Sequence, residues 1–247
     1  NGKRVYDYNF QLQTWFDVGV LCHEMFHSLG SPDLYHYYYG TDLAPVSSWD
    51  VMESQTNPPQ HMGAYMKYRY LGWIASIPQI TTSGTYSLQP LISATNNCYK
   101  IASPNSTTEY FVLEYRRKTG TFESSVPGSG LLVYRIDTAV ADGSGNRNGP
   151  PDEVYIYRPG GTPTANGDPD SANLGIDVLR PAIDDSTDPS SFLSCGYPSS
   201  SRHNLLYLAS SDCDVVSRRQ VVRLPVISLP RSRKEIASLS SYRRTKD

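Results

Sequence analysis

Charge of either sign is scarce in this sequence, and histidine, cysteine and methionine are scarcer still. Charged residues make up 19% of the 247 residues, and there are five histidines, four cysteines and four methionines. Tyrosine is plentiful and the apolar content is sufficient for a core, which excludes the composition of a disordered chain. No apolar run approaches the roughly 18 residues of a membrane-spanning helix, so no transmembrane segment is predicted.

The four cysteines are too few and too scattered for a zinc site built on thiolates. No two of them form a CxxC pair, the spacing that structural zinc sites commonly use. Cys22 falls within a predicted helix, where we expect a small buried apolar residue. The other three, Cys98, Cys195 and Cys213, allow at most one further disulfide, and the sequence does not select a pairing.

The net charge of −2 hides an asymmetry between the C-terminal end and the rest of the chain. Residues 218–247 carry nine Lys/Arg and two acidic residues, a charge of +7, so the remainder carries −9. Apart from Tyr242, this basic end has no interleaved aromatic residues, and it has no recognisable binding motif. We therefore expect no nucleic-acid partner.

The stretch DVGVLCHEMFHSLGSPDLYHY places two of the five histidines one helical turn apart, with a glutamate between them. Asp17 suits the N-cap and Gly30 the left-handed stop of a helix over residues 17–29. At about 100° per residue, one side of this helix gathers an apolar stripe, expected to face the core: Val18, Leu21, Cys22, Met25 and Leu29. The histidines and the glutamate lie on the opposite side.

The HExxH pattern has a direct chemical meaning. His23 and His27, at positions i and i+4 of a helix, can bind one metal ion, and Glu24 between them does not ligate but acts as a base. Zinc usually takes three protein ligands and holds a water of pKa about 7 in the open fourth position. Gly30 can adopt a positive φ and turn the chain so that Asp33 approaches the same ion. HExxHxxGxxD therefore predicts zinc bound by His23, His27 and Asp33, with Glu24 as general base.

Alternatives to this assignment remain open in the sequence. Asp33 could be a simple turn residue of "SPD", and Glu53 could be the third ligand of a thermolysin-like site. His61 is more often a capping or packing residue than a ligand. An aromatic loop follows Asp33 and could line the substrate cleft or simply pack on the helix. One of its tyrosine hydroxyls could stabilise a tetrahedral oxyanion, but the sequence does not indicate which. The residues of this loop are Tyr35, His36, Tyr37, Tyr38 and Tyr39.

A Gly-rich loop further along carries several oxygen ligands of the kind that calcium prefers. Its spacing does not match an EF-hand, and a plain hairpin loop is the competing interpretation. The side chains concerned are Asp137, Asp142, Asn146, Asn148, Asp152 and Glu153.

The rest of the chain changes from helical to β-rich. A second helix is predicted over residues 61–71, ended by Gly72. After Ile80, short β-branched and aromatic runs alternate with turn residues, as in an antiparallel sheet: TYSL, CYKI, EYFVLEYR, GLLVYRI and EVYIYR. Residues 159–170 suggest a loop or linker, and beyond about Ser194 the β pattern does not continue.

Several segments together resemble the M6, or immune inhibitor A-like, secreted bacterial metallopeptidases: HEMFHSLGSPDLY, WDVMES, PPQHMGAYMKYRYLGW and EYFVLEYRRKTGTFESSVPGSGLLVYRID. HExxHxxG, a further ligand and a methionine turn are the metzincin layout, and WDVM resembles that turn, with Met52 below the metal. The resemblance runs from about Val18 to Tyr157. It implies a secreted zinc endopeptidase acting on proteins or peptides.

The expected fold is α+β: the C-terminal part of a metzincin-like zincin domain, with two helices and a Met-turn, followed by an antiparallel sandwich-like region. The predicted divisions are a peptidase region at 1–80, a β-rich region at 81–160 and a linker with a Ser/Arg-rich segment at 161–247. Only about sixteen residues precede the helix, so we expect a fragment of a longer enzyme. The basic end is interpreted as a divergent segment or a frameshifted reading.

The competing function is a non-catalytic, β-rich surface-binding module with an inactive peptidase remnant. A long β-rich half favours that interpretation. The intact positions His23, Glu24, His27, Asp33 and Met52 oppose it. A purely structural zinc site is disfavoured, because such a site is closed by four ligands and has no use for Glu24.

Overall fold

A computed structural model describes residues 8–38, 43–184 and 186–194, together with two strands further on. Its two α-helices are α1 (Val18–Ser28) and α2 (Ala64–Arg69). The strands, in chain order, are β1 (Gly84–Leu88), β2 (Cys98–Ala102), β3 (Glu109–Arg116), β4 (Gly130–Asp137), β5 (Val154–Ile156), β6 (Ala182–Ile183), β7 (Leu206–Leu208) and β8 (Gln220–Leu224). Short 3-10 helices occupy Gln13–Trp15, Ser47–Trp49 and Pro169–Ser171. The predicted α+β class with antiparallel strands is confirmed.

The strands form two antiparallel four-stranded sheets, in the orders β2-β3-β4-β5 and β1-β8-β7-β6. All five runs predicted as strands are strands β1 to β5. The sequence did not predict β6, β7 and β8. β6 has only two residues, and the sequences of β7 and β8, LYL and QVVRL, are short and lie among Ser and Arg residues. The rest of the chain after Ser194, with Cys195, Cys213 and the Ser/Arg-rich end, lies outside the described residues.

The first sheet is buried on both faces, and all eight residues of β4 are buried. One face of β4, through Leu132 and Tyr134, joins a core that includes Trp49, Met52 and Met66. The other face, through Leu131 and Val133, packs in a second cluster with residues of the 174–193 region. The N-terminal segment that carries the histidines is thus supported from behind by the sheet. No helix in the described part of the chain is long and apolar enough to cross a membrane.

Helix α1 begins and ends as predicted, but its buried face is the opposite of the predicted one. Asp17 caps it by accepting a 2.8 Å hydrogen bond from the Val20 amide. The expected core stripe is largely exposed, at 52%, 51% and 52% for Val18, Met25 and Leu29, and Cys22 is only partly buried. The buried helical residues are Gly19 and His23. His23 can be buried on this face because both of its ring nitrogens find partners there.

Helix α2 is shorter than predicted. It spans Ala64–Arg69 rather than residues 61–71. Its N-terminal amides are bound by buried carboxylates. Gly63 N–H donates to Asp50 Oδ2 at 2.7 Å and Ala64 N–H to Glu114 Oε2 at 2.6 Å. Acidic groups at this end of a helix satisfy amides that have no partner within the helix.

These two carboxylates belong to a buried group of charges that we call the sealed cluster: Asp50, Glu114, Arg116 and Glu123, each at most 4% exposed. Arg116 binds both oxygens of Glu123, at 2.7 and 2.6 Å, and donates to the Trp49 carbonyl at 2.7 Å. Asp50 Oδ1 accepts from the Met52 amide at 2.9 Å. The sealed cluster therefore ties β3 to the turn that passes beneath the histidines.

Candidate metal centre

Three side chains of the HExxHxxGxxD pattern converge on one point. His23 Nε2 lies 3.0 Å from Asp33 Oδ1, and His27 Nε2 lies 3.2 Å from the same oxygen. Among the described residues they form the one group of three or more His, Cys, Asp or Glu side chains able to hold a metal ion. We call this group the open cluster, because the His27 side chain keeps 32% of its surface exposed.

The bend after α1 brings Asp33 into this group. Gly30 has φ of +101°, a backbone conformation that side chains other than glycine rarely adopt. The chain then reverses, and Ser31 N–H donates back to the Phe26 carbonyl at 3.0 Å. Asp33 follows, 6% exposed. The predicted glycine turn is therefore present, and Asp33 faces the histidines rather than serving only as a turn residue.

Backbone carbonyls orient both imidazoles. His23 Nδ1 lies 2.7 Å from the Val51 carbonyl oxygen, and His27 Nδ1 lies 2.8 Å from the Ser31 carbonyl oxygen. A carbonyl only accepts, so each Nδ1 carries the proton, and a neutral ring presents an unprotonated Nε2 to the centre. Two such nitrogens and a carboxylate oxygen are all acceptors. Only protons or a cation can hold the three together, and this donor set fits a metal.

The electrostatics of the cluster agree with this description. Burial raises the pKa of Asp33, but the hydrogen bonds from His23, His27 and Tyr37 outweigh it and place the pKa well below its usual range. Burial lowers the pKa of His23, yet the hydrogen bond with Asp33 and that with the Val51 carbonyl raise it above its ordinary value. For His27 the hydrogen bond with Asp33 is the largest cause of a raised pKa. The carboxylate is thus ionised and favours positive charge beside it.

Glu24 is partly buried and lies outside this hydrogen-bonded group. Its carboxylate has no hydrogen bond or ion pair with any residue that the structure describes, but its charge raises the pKa values of His27 and Tyr35. The Glu24 carboxylate therefore has no hydrogen-bond donor bound to it in the described part of the chain. Glu24 acts on the open cluster through its charge, without a hydrogen bond to it.

Two loops clamp the residue after Asp33. Leu34 N–H donates to the Met52 carbonyl at 2.9 Å, and Met52 itself is fully buried. From the other side, Asn146 Nδ2 donates to the Leu34 carbonyl at 3.0 Å, and Asn146 N–H donates to the Asp33 carbonyl at 3.0 Å. The ligand loop is therefore fixed between the Met52 turn and the loop that joins β4 to β5.

The structure distinguishes among the aromatic residues that the sequence left equivalent. The Tyr37 hydroxyl donates to Asp33 Oδ2, and the Tyr35 ring is stacked on that of His23 at 6.4 Å. Tyr38 is 68% exposed, and Tyr39 lies outside the described residues. His36 lies elsewhere, with Nε2 2.6 Å from Asp152 Oδ1. Tyr37 and Tyr35 are thus the aromatic residues at the open cluster.

The other candidate ligands do not reach the histidines. Glu53 instead accepts from the Val46 amide at 2.5 Å, and burial raises the pKa of its carboxyl to about 8. It is not part of the metal-binding group found among the described residues. The His61 ring packs edge-on to Phe122, with 6.2 Å between ring centroids. The thermolysin-like alternative therefore has no support in the geometry.

The side chains of the Gly-rich loop are dispersed among separate partners. Asp142 pairs with Arg69 at 2.6 Å, and Glu153 accepts from the hydroxyls of Tyr65 and Tyr70 at 2.7 Å. Asp137 accepts from the Ala139 amide, Asp152 pairs with His36, and Asn146 binds backbone groups of Leu34 and Val154. These contacts favour the hairpin-loop interpretation over a calcium site.

Sequence reasoning missed the residues that organise the site from a distance. Asn146 and Arg147 come from more than a hundred residues downstream, and their role depends on where the sheet places the β4–β5 loop. The sequence singled out Asn146 in the Gly-rich loop, but neither the hairpin-loop interpretation nor the calcium interpretation linked it to the histidines. The carbonyls of Ser31 and Val51 carry no sequence signal, because every residue has one.

Comparison with known families shows that the N-terminal segment of the chain is similar to a peptidase catalytic domain. The matching family is the immune inhibitor A peptidase M6, catalytic domain, and the match spans residues 2–65, which is 64 of the 247 residues. The match includes the whole open cluster and Glu24. The resemblance to the M6 family is confirmed over this segment, a shorter one than the motifs suggested. Searches of curated proteins and of solved structures found no match to the chain.

Proposed function

We propose that the chain is a zinc-dependent endopeptidase of the M6 type, in which His23, His27 and Asp33 bind the metal and Glu24 is the general base. The supporting observation is the convergence of Nε2, Nε2 and Oδ1, all within 4.8 Å of one another, in a segment that matches a peptidase family. Ligand atoms at about 2.0–2.1 Å from a tetrahedral zinc are roughly 3.3 Å apart. The separations of 3.0 and 3.2 Å are close to that value.

A bound zinc ion supplies a Lewis acid that polarises the scissile carbonyl and lowers the pKa of water to about 7. The protein supplies the proton transfers. Glu24 accepts the proton of the attacking water and then delivers it to the nitrogen of the leaving amine. Val51 and Ser31 hold the rings of His23 and His27 in the required orientation through their carbonyl oxygens.

The finer architectural assignments belong to the same proposal. The Val51–Met52 turn, buried beneath His23 and bonded to it through the Val51 carbonyl, is assigned as the metzincin-like Met-turn. Strands β1 to β5 are assigned to the sandwich-like region at residues 81–160 that follows the peptidase region, whereas β6, β7 and β8 of the second sheet lie in the segment 161–247. Secretion and a bacterial source follow from the family resemblance.

The test uses the full chain, loaded with zinc, on casein and on a quenched fluorescent peptide. Wild type is expected to hydrolyse both in a chelator-sensitive manner. The Glu24→Gln variant should bind zinc as tightly as wild type and lose nearly all turnover, because an amide cannot accept the proton. Glu123→Gln would not be a suitable control, since it breaks the sealed cluster, so Glu235→Gln in the basic end serves. Equal turnover by wild type and Glu24→Gln would overturn the mechanism.

A further inference from the structure

A pocket beside the open cluster carries a positive charge that the proposed hydrolysis does not use. It has a volume of about 300 Å³ and is lined by the proposed ligands His27 and Asp33, by Tyr37, and by Gly143 and Arg147 of the β4–β5 loop. A substrate that reaches the metal ligands in this pocket therefore also meets Arg147.

The backbone of Arg147 is firmly attached to the ligand loop. Its carbonyl accepts a 3.0 Å hydrogen bond from the Tyr37 amide. The preceding residue, Asn146, is fully buried and donates to the Asp33 carbonyl at 3.0 Å. Gly145 approaches so closely, at φ of +55°, that a Cβ there would lie 2.1 Å from the Asp33 carbonyl oxygen. The position of Arg147 relative to Asp33 is thus set by main-chain contacts.

The acidic side chains around this pocket already have partners. Asp33 is bound by two imidazoles and the Tyr37 hydroxyl. Asp142 pairs with Arg69, and Asp152 pairs with His36. The guanidinium of Arg147 is exposed and makes no hydrogen bond or ion pair with any residue in the described ranges. A cationic residue on a fixed backbone, lining a pocket that has no free counter-charge among the described residues, is suited to a carboxylate ligand.

We propose that Arg147 forms a subsite for an acidic side chain of the protein substrate, within a few residues of the scissile bond. The inference rests on the proposed peptidase function and adds a substrate class to it. Its guanidinium would hold a Glu or Asp carboxylate through two parallel N–H···O hydrogen bonds, an arrangement that lysine cannot provide. Substrates with an acidic residue at this point are then preferred over their amide counterparts.

The first experiment measures cleavage of matched quenched peptides that carry a single Glu, Gln or Lys at each of six positions around the scissile bond. Wild type should show, at one position, a kcat/KM about tenfold higher for Glu than for Gln, an advantage that added salt reduces. In Arg147→Gln the Glu-to-Gln ratio should fall to about one, and in Arg147→Glu the Lys peptide should be preferred. Arg117→Gln, one residue after the end of β3 and not among the residues that line the pocket, is the matched control and should behave as wild type.

The second experiment measures binding without cleavage, by fluorescence anisotropy of the same labelled peptides on zinc-loaded Glu24→Gln protein. The Glu peptide should bind about tenfold more tightly than the Gln peptide, and the added substitution Arg147→Gln should remove the difference. Cleavage without any Glu preference would overturn the subsite while leaving the peptidase proposal intact. Glu-selective binding with no cleavage by wild type would support the subsite and overturn the peptidase proposal. Absence of selectivity in both experiments would overturn the subsite outright.

Discussion

The open and sealed clusters contain similar chemical groups in opposite surroundings. The open cluster gathers two imidazoles and a carboxylate at the mouth of a pocket, and His27 keeps a third of its side chain exposed. The sealed cluster surrounds Arg116, which is 0% exposed, with two carboxylates and two backbone carbonyls. Every donor of the sealed cluster is used within the fold, whereas the acceptors of the open cluster face one another.

The contrast extends to the histidines of each region. Asp33 raises the pKa values of His23 and His27, so positive charge is favoured at the open cluster. His61, beside the sealed cluster, has its pKa lowered to about 4 by burial and by the charge of Lys67. One region is arranged to receive a cation, whereas the other already holds its own cation, Arg116, within the fold. The difference separates a binding site from a structural support, and substitutions can test it.

The largest effect is expected from Arg116→Met in the sealed cluster. Removal of the guanidinium leaves Glu114 and Glu123 buried without their cationic partner, which costs about 3–5 kcal/mol of unfolding free energy. Urea denaturation followed by tryptophan fluorescence measures it. Arg117→Met, one residue along and partly exposed, should lose less than about 1 kcal/mol. Equal losses in the two variants would mean that the cluster is not a structural support.

His23→Ala should act mainly on metal binding rather than on folding. Loss of one of three ligands is expected to weaken zinc affinity by more than about a hundredfold. Loss of a residue that only hydrogen-bonds to a ligand typically costs about 10–100-fold. Competition with a fluorescent chelator measures this, and denaturation of the metal-free protein should show a smaller loss than in Arg116→Met. His61→Gln, outside the cluster, should keep wild-type affinity. A parallel loss of affinity in both variants would argue against a site at the open cluster.

Tyr37→Phe tests how finely the open cluster is organised. The hydroxyl that donates to Asp33 Oδ2 orients the carboxylate, and its removal should weaken zinc binding about tenfold. The same chelator competition applies. Tyr38→Phe is the control, because Tyr38 is 68% exposed and should leave the affinity unchanged. If the two variants bound zinc equally, the contact between Tyr37 and Asp33 would have no role in the site.

The smallest effect concerns the pH dependence of stability at the border of the sealed cluster. His61 has a native pKa of about 4, lowered by burial, Lys67 and Arg116 against the opposing charge of Glu123. As the pH falls below about 6.5, the unfolded state binds a proton that the native state does not, so stability decreases until pH 4.

In His61→Phe this contribution should disappear, and the loss of stability between pH 7 and 4.5 should shrink by less than about 1 kcal/mol, since the ring is only partly buried. Urea titrations at pH 7, 6, 5 and 4.5 on wild type and variant measure the slope. A steeper acid dependence in the variant would show that the sign of this effect is wrong.

The three proposed ligands could be predicted from local spacing. The residues that support them depend on tertiary packing and could not. His23 and His27 share a helix face because they are four residues apart, and Gly30 turns Asp33 toward them within six residues. The strands β1 to β5 were predictable for the same reason, since alternation and turn residues are local signals. Each of these features depends on a short stretch of chain.

The prediction for the buried side of α1 was wrong because it used hydrophobicity alone. Met25 and Leu29 stay exposed, while His23 is buried against the Val51 carbonyl. Which aromatic residues reach the open cluster, Tyr35 and Tyr37, depended on the path of a loop. The position of Arg147 depended on the pairing between β4 and β5. Long-range contacts of this kind leave no period in the sequence.

The use of peptide oxygens at residues 31 and 51 to orient the imidazoles affects how this site tolerates mutation. A carboxylate partner can be deleted by one codon change, whereas a main-chain acceptor survives any substitution that preserves the local trace. Substitutions at these two positions can therefore keep the ring orientation, provided that the new side chains fit the buried space that Ser31 and Val51 occupy. Evolutionary change can remodel the surroundings of the histidines without disturbing which ring nitrogen faces inward.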